Sequence, residues 1–217
     1  MISGVIFDMD GVLVLTERAH WQSWLAAADP RGVKLEYSTF LSCFGRINPD
    51  CVPILFGRGI SPAESSAIAD QKEAAFRDII RVDVPLAPGI EALLEKLKSK
   101  GMRLAVGSSG PPENVNLVLD AGKLRKWFDA VVDGSQVKRG KPAPDVFLRA
   151  AALMNLPPEK CAVIEDAPTG IQAAVAAGML AIAVSTTHTA EELLAAGAAV
   201  CFATPTDACD LLIKSAE

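Results

Sequence analysis

The apolar run Val5-Ile6-Phe7 ends in Asp8-Met9-Asp10-Gly11-Val12, and this stretch restricts the fold more than any other in the chain. The run reads as a fully buried strand. Two carboxylates at the mouth of such a strand are unfavourable, because ionised groups taken out of water without partners lose much of their hydration free energy. A chain that puts them there should supply a cation, hydrogen-bond donors or both. Side-chain direction alternates along a strand, so Asp8 and Asp10 leave on one face, and Gly11 lets the backbone turn sharply behind them. The expectation is a metal-binding, phosphate-handling pocket seeded by Asp8 and Asp10. The plain alternative is an edge strand whose aspartates start a turn.

Downstream, Trp21, Trp24, Leu25 and Ala28 mark one stripe of a helix over about 16–28, broken at Asp29-Pro30-Arg31-Gly32. A second helical segment is predicted over 38–44, ending before Gly45. The chain turns again around Phe56-Gly57-Arg58-Gly59. Ser61-Pro62-Ala63-Glu64 then has the pattern of a capping box with proline at the first helical position, opening a long helix to about Ile80. After the linker-like Val84-Pro85-Leu86-Ala87-Pro88-Gly89, helix and strand alternate. Ile90, Leu93, Leu94 and Leu97 stripe a helix. Strands are predicted over 103–107, 130–132, 162–164, 180–184 and 198–202. Phe147, Ala150, Ala151 and Met154 share a helix face, and Thr189-x-x-Glu192 caps another helix. Strands that are apolar throughout, separated by amphipathic helices, imply an α/β fold: a Rossmann-like, doubly wound parallel sheet covered on both faces.

A β-α-β unit needs about 30 residues, yet after the strand ending at Phe7 the next strand begins only at Arg103. The block 15–85 is therefore expected to be a small all-helical cap inserted after the first strand, with 1–14 and 86–217 forming the core. Ligands of open parallel sheets bind at the carboxyl ends of the strands, so the cap would hang over Asp8 and Asp10.

Of 217 residues, half are hydrophobic and 22% charged, which suits a globular chain able to bury a core. Twenty-one basic against 26 acidic residues leave a net charge of -5, with no general attraction to nucleic acid or anionic membrane. Five cysteines without a C-x-x-C pair read as reduced cytosolic thiols. Residues 2–15 are apolar enough to resemble a signal-peptide core, but Asp8 and Asp10 interrupt them and no basic segment precedes them. The expectation is a soluble cytoplasmic protein, monomeric or weakly dimeric, acting on a small phosphorylated metabolite.

A pocket at the strand ends should draw polar groups from other strands as well. The strand 103–107 runs into Ser108-Ser109-Gly110, whose hydroxyls and amides suit phosphate oxygens. Ala162-Val163-Ile164 runs into Glu165-Asp166, and Arg139-Gly140-Lys141-Pro142 can place a lysine between them. Serines make turns, acids cap helices and lysines are commonly solvated, but all of these fall at strand ends together.

In this order, Asp8-Met9-Asp10-Gly11-Val12, Ser108, Gly140-Lys141-Pro142 and Glu165-Asp166 resemble the four motifs of the haloacid dehalogenase superfamily of phosphatases and phosphomutases. The resemblance implies that Asp8 is a nucleophile forming an aspartyl-phosphate and Asp10 the general acid and base. It makes Ser108, with Ser109 beside it, a phosphate contact and Lys141 a charge between Asp8 and the phosphate. It also implies Mg²⁺ held by Asp8, the backbone carbonyl of Asp10, Asp166 and Glu165, the last directly or through water. Oxygen-only ligands suit Mg²⁺, and like-charge repulsion between a carboxylate and a phosphate dianion calls for such cations.

The cap resembles that of the beta-phosphoglucomutase-like branch. Thr16 and His20 resemble the start of the mutase cap, where the histidine pairs with the acid-base aspartate; the alternative for His20 is packing beside Trp24. Lys72 falls near a phosphate-contacting lysine of that cap, although a helix-surface lysine is the plainer reading. Asn48 stands where the mutase has an arginine for the distal phosphate, with Arg46 two residues earlier, and Gly110-Pro111-Pro112 replaces the mutase's serine and lysine. A mutase grips a bisphosphate at both ends, so these departures favour hydrolysis of a phosphomonoester, a sugar phosphate by class, with a mutase as runner-up. A dehalogenase would leave Asp10 and the metal acids without purpose. A phospho-receiver domain would not need the insertion, and a catalytically silent binding protein would not need complete motifs. His188 reads as a structural loop residue.

Overall fold

The structure is a computed structural model and describes residues 1–215. Six parallel strands form one sheet: β1 (Gly4–Phe7), β2 (Arg103–Gly107), β3 (Ala130–Val132), β4 (Cys161–Glu165), β5 (Leu180–Val184) and β6 (Val200–Phe202), in the order β3-β2-β1-β4-β5-β6. The chain winds outward from β1 through β2 to β3, then returns to lay β4 against the other side of β1. The crevice between β1 and β4 is thus the point where winding reverses, the place where such sheets bind ligands. Phe7 pairs with Val106 on one side and Ile164 on the other. That register sets Asp8 level with Glu165 on one side and Gly107 on the other, with Ser108 one residue further along the carboxyl edge.

Period-2 alternation sorts the strand side chains into two cores. Val5, Phe7, Leu104, Val106, Ala162 and Ile164 face one layer, where Leu93, Leu94 and Leu97 of α5 (Ile90–Ser99), Val115 and Val118 of α6 (Pro112–Ala121) and Leu212 of α10 (Cys209–Lys214) pack. Ile6, Ala105 and Val163 face the other, against Phe147 and Ala150 of α7 (Asp145–Leu153), Ile171 and Ala173 of α8 (Pro168–Ala176) and Leu193 of α9 (Ala190–Ala195). Apolar side chains on both faces explain why these strands show no polar alternation. Thr189 and Glu192 form the expected reciprocal cap of α9.

Between β1 and α5 lie only helices: α1 (Glu17–Ala28), α2 (Tyr37–Cys43), α3 (Asn48–Leu55) and α4 (Pro62–Ile80). They bury a small core of their own around Trp24, Phe40, Val52 and Ile68, while Phe76 and Ile80 at the end of α4 join the core beneath the sheet. The two connecting chains pair where the block leaves the sheet, Leu15 N–H donating to the Pro85 carbonyl at 2.8 Å and Ala87 N–H to that of Leu13 at 2.9 Å. We propose that the cap begins and ends at this neck.

Three details differ from the sequence reading. Helix α3 was not among the expected elements; Pro49 lies in its first turn, where its missing N–H is harmless, and Cys51, Val52 and Leu55 are buried by packing. Ser61 accepts from the Glu64 amide at 3.2 Å, so α4 shows only that half of the capping box. Strand β6 is shorter, starting at Val200. Among the described residues, no helix is long and apolar enough to cross a membrane.

Candidate active site

Lys141 is the pivot of the pocket. Its loop, before α7, carries the ammonium to the crevice, where Nζ donates to Asp8 Oδ1 at 2.6 Å and to Glu165 Oε1 at 2.6 Å. The other Glu165 oxygen accepts the Asp166 and Ala167 amides, each at 2.8 Å. Glu165 is thus fixed at both oxygens and holds Lys141 against Asp8. Helix α8 approaches so closely that a Cβ on Gly170 would lie 1.8 Å from Glu165 Oε1. Burial disfavours the charged form of Lys141, but its two carboxylate neighbours outweigh this and keep it protonated, with its pKa raised.

One lysine does not balance the acids. Carboxylate oxygens of Asp8, Glu165 and Asp166 lie within 4.8 Å of one another, all buried. Burial pushes Asp8 up to about 7; Lys141 pulls it down, but Glu165 and Asp10 add repulsion. Burial, with repulsion from Glu165 and Asp8, pushes Asp166 well above the usual carboxylate range. Asp166 Oδ2 accepts from Thr187 at 2.5 Å, whereas Asp166 Oδ1 is buried with no hydrogen-bond partner among the described residues. An orphaned oxygen within an oxygen-only, acid-rich cluster fits a hard divalent cation such as Mg²⁺. Gly11, at φ +80, makes room for this acid: a Cβ there would sit 1.8 Å from Asp166 Oδ2.

Asp10 faces the cap instead. Its Oδ1 accepts from Thr16 Oγ1 at 2.5 Å and lies 2.9 Å from His20 Nε2. Burial alone would raise the Asp10 pKa; His20, as charge partner when protonated and as hydrogen-bond donor, and Thr16 outweigh it and hold the carboxyl low. The His20 ring stacks on Phe76, centroids 4.1 Å apart, and its Nδ1 lies 2.9 Å from Lys72 Nζ. Lys72 also donates to Glu73 at 2.8 Å. Glu73 takes further hydrogen bonds from Asn48 of α3 at 2.8 Å and Asn114 of α6 at 2.5 Å, and Arg77 donates to Asn114 at 3.1 Å. A chain of polar contacts thus runs from the core helix α6 through the cap to Asp10.

The model of the haloacid dehalogenase-like hydrolases matches residues 2–178. The chain belongs to this family. Over 204 residues it is 32% identical to a phosphorylated carbohydrates phosphatase of Thermotoga maritima, covering 91% of this chain and 92% of the relative. It is 35% identical over 182 residues to the fructose-1-phosphate phosphatase YqaB of Escherichia coli, covering 83% and 95%. The crystal structure of beta-phosphoglucomutase from Clostridium difficile superposes with a TM-score of 0.88 at 26% identity, covering 100% of this chain and 97% of that one. The protein is an enzyme, a phosphatase or phosphomutase by kinship.

Within this hydrolase the other expected residues fall as follows. Ser108 is buried, its Oγ accepting the Gly110 amide at 3.0 Å. Ser109, expected as a phosphate contact, donates its hydroxyl to the Gly45 carbonyl of the cap at 2.7 Å, so that donor is engaged in holding cap to core. Lys72 is not a helix-surface lysine: it is 3% exposed, because the closed cap covers it. His20 is packed, as one reading had it, but on Phe76 rather than Trp24, and it also reaches Asp10. Asn48 is engaged by Glu73, while Arg46 lines the pocket with a buried Nε that has no partner among the described residues. His188 lies between the Asp166 and Leu41 carbonyls, at 3.1 and 3.2 Å. Glu73, Asn114 and Thr187 escaped the sequence reading. Thr187 lies just past the carboxyl end of β5, and the strand-end test applied to β4 could have found it.

Proposed function

We propose that the enzyme hydrolyses a small phosphomonoester, a sugar phosphate by class, through an aspartyl-phosphate on Asp8. The observation that carries this reading is Lys141 held between Asp8 and Glu165 beside the orphaned Asp166 oxygen. Asp8 attacks phosphorus, the bond to the leaving oxygen breaks, and a proton held at Asp10 passes to that oxygen. Water then attacks the acyl phosphate, returns a proton to Asp10 and releases inorganic phosphate. Lys141 offsets the repulsion between Asp8 and the incoming dianion. Asp8, Asp166 and, by family resemblance, the Asp10 carbonyl would hold Mg²⁺, which supplies further positive charge against the phosphoryl oxygens. The lowered pKa of Asp10 keeps its carboxyl ionised, the form that can receive the water's proton. The proton it donates arrives through His20 or with the substrate.

Two features of the cap favour hydrolysis over mutase chemistry. Asn48 stands where a bisphosphate would need an arginine, and behind it lies the ionised Glu73, a charge of the wrong sign for a second phosphate. The mutase reading keeps one specific support, the contact of His20 with Asp10 beneath Lys72. Phosphate release across a panel of phosphomonoesters with Mg²⁺, beside a mutase assay on beta-glucose 1-phosphate primed with the bisphosphate, separates the two. Hydrolysis of at least one sugar phosphate without isomerisation is the expected result. Isomerisation outpacing release overturns it.

A further inference from the structure

Two thiols line the pocket, and the chemistry above uses neither. Cys43 ends α2 and Cys51 lies in α3, and both face the space shared by Asp8, Asp10 and Lys72. Cys43 Sγ donates to the Phe40 carbonyl at 3.2 Å and Cys51 Sγ to the Cys43 carbonyl at 3.3 Å, so the Cys51 thiol lies against the Cys43 residue. No other pair of the five cysteines lines this pocket. Cys161 is buried at β4, where burial pushes its thiol up to about 11. Cys43 differs: the adjoining Cys51 thiol lowers its pKa against the opposing effect of burial, and the charges of Arg46 and Lys72 help. A thiolate-favouring site beside a second thiol, reachable through a cavity, is the setting in which cysteines oxidise selectively.

We propose that Cys43 and Cys51 are an oxidisable dithiol in the cap, which a hydroperoxide entering the empty pocket converts to a disulfide that switches the enzyme off. The Cys43 thiolate attacks the terminal peroxide oxygen; the O–O bond breaks, the remaining alkoxide or hydroxide takes up a proton, and Cys43 becomes a sulfenic acid. Cys51 Sγ then attacks the Cys43 sulfur; the S–S bond forms, the S–O bond breaks, and water leaves carrying the thiol proton. The hydroperoxide is the two-electron oxidant and the thiol pair the reductant, so the step balances.

The consequence for activity follows from what lies between the two cysteines. The bridge ties the ends of segment 43–51, which carries Gly45, Arg46 and Asn48. Gly45 receives the Ser109 hydroxyl, Asn48 holds Glu73, and Arg46 faces the pocket. Drawing the two sulfurs into a bond moves Cys51 Sγ away from the Cys43 carbonyl and shifts this wall.

The test treats the full-length, Mg²⁺-loaded enzyme with hydrogen peroxide and reads two quantities on one sample. The first is intact mass with a non-reducing peptide map, and the second is turnover of p-nitrophenyl phosphate. The expected result is loss of two hydrogens, a peptide joining Cys43 to Cys51, and turnover down by roughly tenfold or more, the scale on which misplaced pocket groups act. A thiol reductant restores both. Cys51→Ser, compared with its own untreated rate, gives no bridged peptide, and its Cys43 sulfenic acid is trapped by dimedone. Oxidation confined to Cys201 or Cys209, or a bridged enzyme that keeps its turnover, overturns the proposal. Should the reduced enzyme hydrolyse no phosphoester, the proposed hydrolysis fails while the mass reading still decides whether the dithiol forms.

Discussion

Lys72 Nζ, buried in cap helix α4, lies 2.9 Å from Nδ1 of the half-buried His20 in cap helix α1. An ammonium can only donate, so Nδ1 accepts and the ring carries its proton on Nε2, facing Asp10. Lys72 donates in turn to Glu73 at 2.8 Å. Removing one member of a buried pair leaves the other uncompensated, so Lys72→Met is expected to destabilise the fold by about 3 kcal/mol. The double variant Lys72→Met, Glu73→Gln should recover part of that loss. Urea unfolding of the wild type, both single variants and the pair measures the coupling; strict additivity would show that the two residues do not support each other.

Glu73 also sets an acid limit. Burial raises its pKa, but Lys72 and His20, with the hydrogen bonds of Lys72 and Asn48, outweigh this and hold it below the ordinary value of 4.5. A carboxyl depressed in the folded state stabilises fully above its unfolded pKa and loses that contribution as pH falls through its folded value. The urea midpoint of the wild type should therefore fall as pH drops below about 4.5, and less steeply in Glu73→Gln. Parallel curves for the two proteins would contradict the assignment.

Gly170→Ala tests the clamp on Lys141 without replacing a charged group. The added methyl group would meet Glu165 Oε1 at 1.8 Å, forcing that carboxylate off the lysine. A displacement of this kind is expected to lower kcat by roughly a hundredfold. Steady-state kinetics on p-nitrophenyl phosphate, with circular dichroism to confirm folding, measures it. An unchanged kcat would mean that Glu165 does not position Lys141.

Mg²⁺ should stabilise the protein independently of turnover, because it relieves repulsion among Asp8, Glu165 and Asp166. A ligand at a hundredfold excess over its Kd stabilises by about 2.7 kcal/mol. For a chain of this size that raises Tm by roughly 5–10 °C. Differential scanning fluorimetry with and without Mg²⁺ reads the shift, which chelation should reverse and Asp166→Asn should largely abolish. Equal shifts in the variant would place the metal elsewhere.

The core of the site was legible because its signals are local. Asp8, Asp10, Ser108, Lys141, Glu165 and Asp166 each follow an apolar strand or occupy the Gly-Lys-Pro loop, and parallel register alone brings the strand ends together. The second pocket wall was legible only in part, through the resemblance that singled out Thr16, His20, Arg46, Asn48 and Lys72. Glu73 sits in α4 and Asn114 in α6, where a polar residue within helical periodicity reads as a solvated face. Their burial arises from closure of cap on core, joining positions as far apart as Asn48 and Asn114, which periodicity does not encode. Helix α3 was hidden for a related reason: packing of Cys51, Val52 and Leu55 overrides the poor helix propensity of its two prolines.

The central claim is that Asp8 is the nucleophile, and Asp8→Asn tests it most directly. The measurement is phosphate release with Mg²⁺ on the best substrate of the panel, beside thermal melting to confirm that the variant folds with Lys141 still held by Glu165. The expected result is a folded protein with no turnover above background. Phosphate release near the wild-type rate from that folded variant would contradict it.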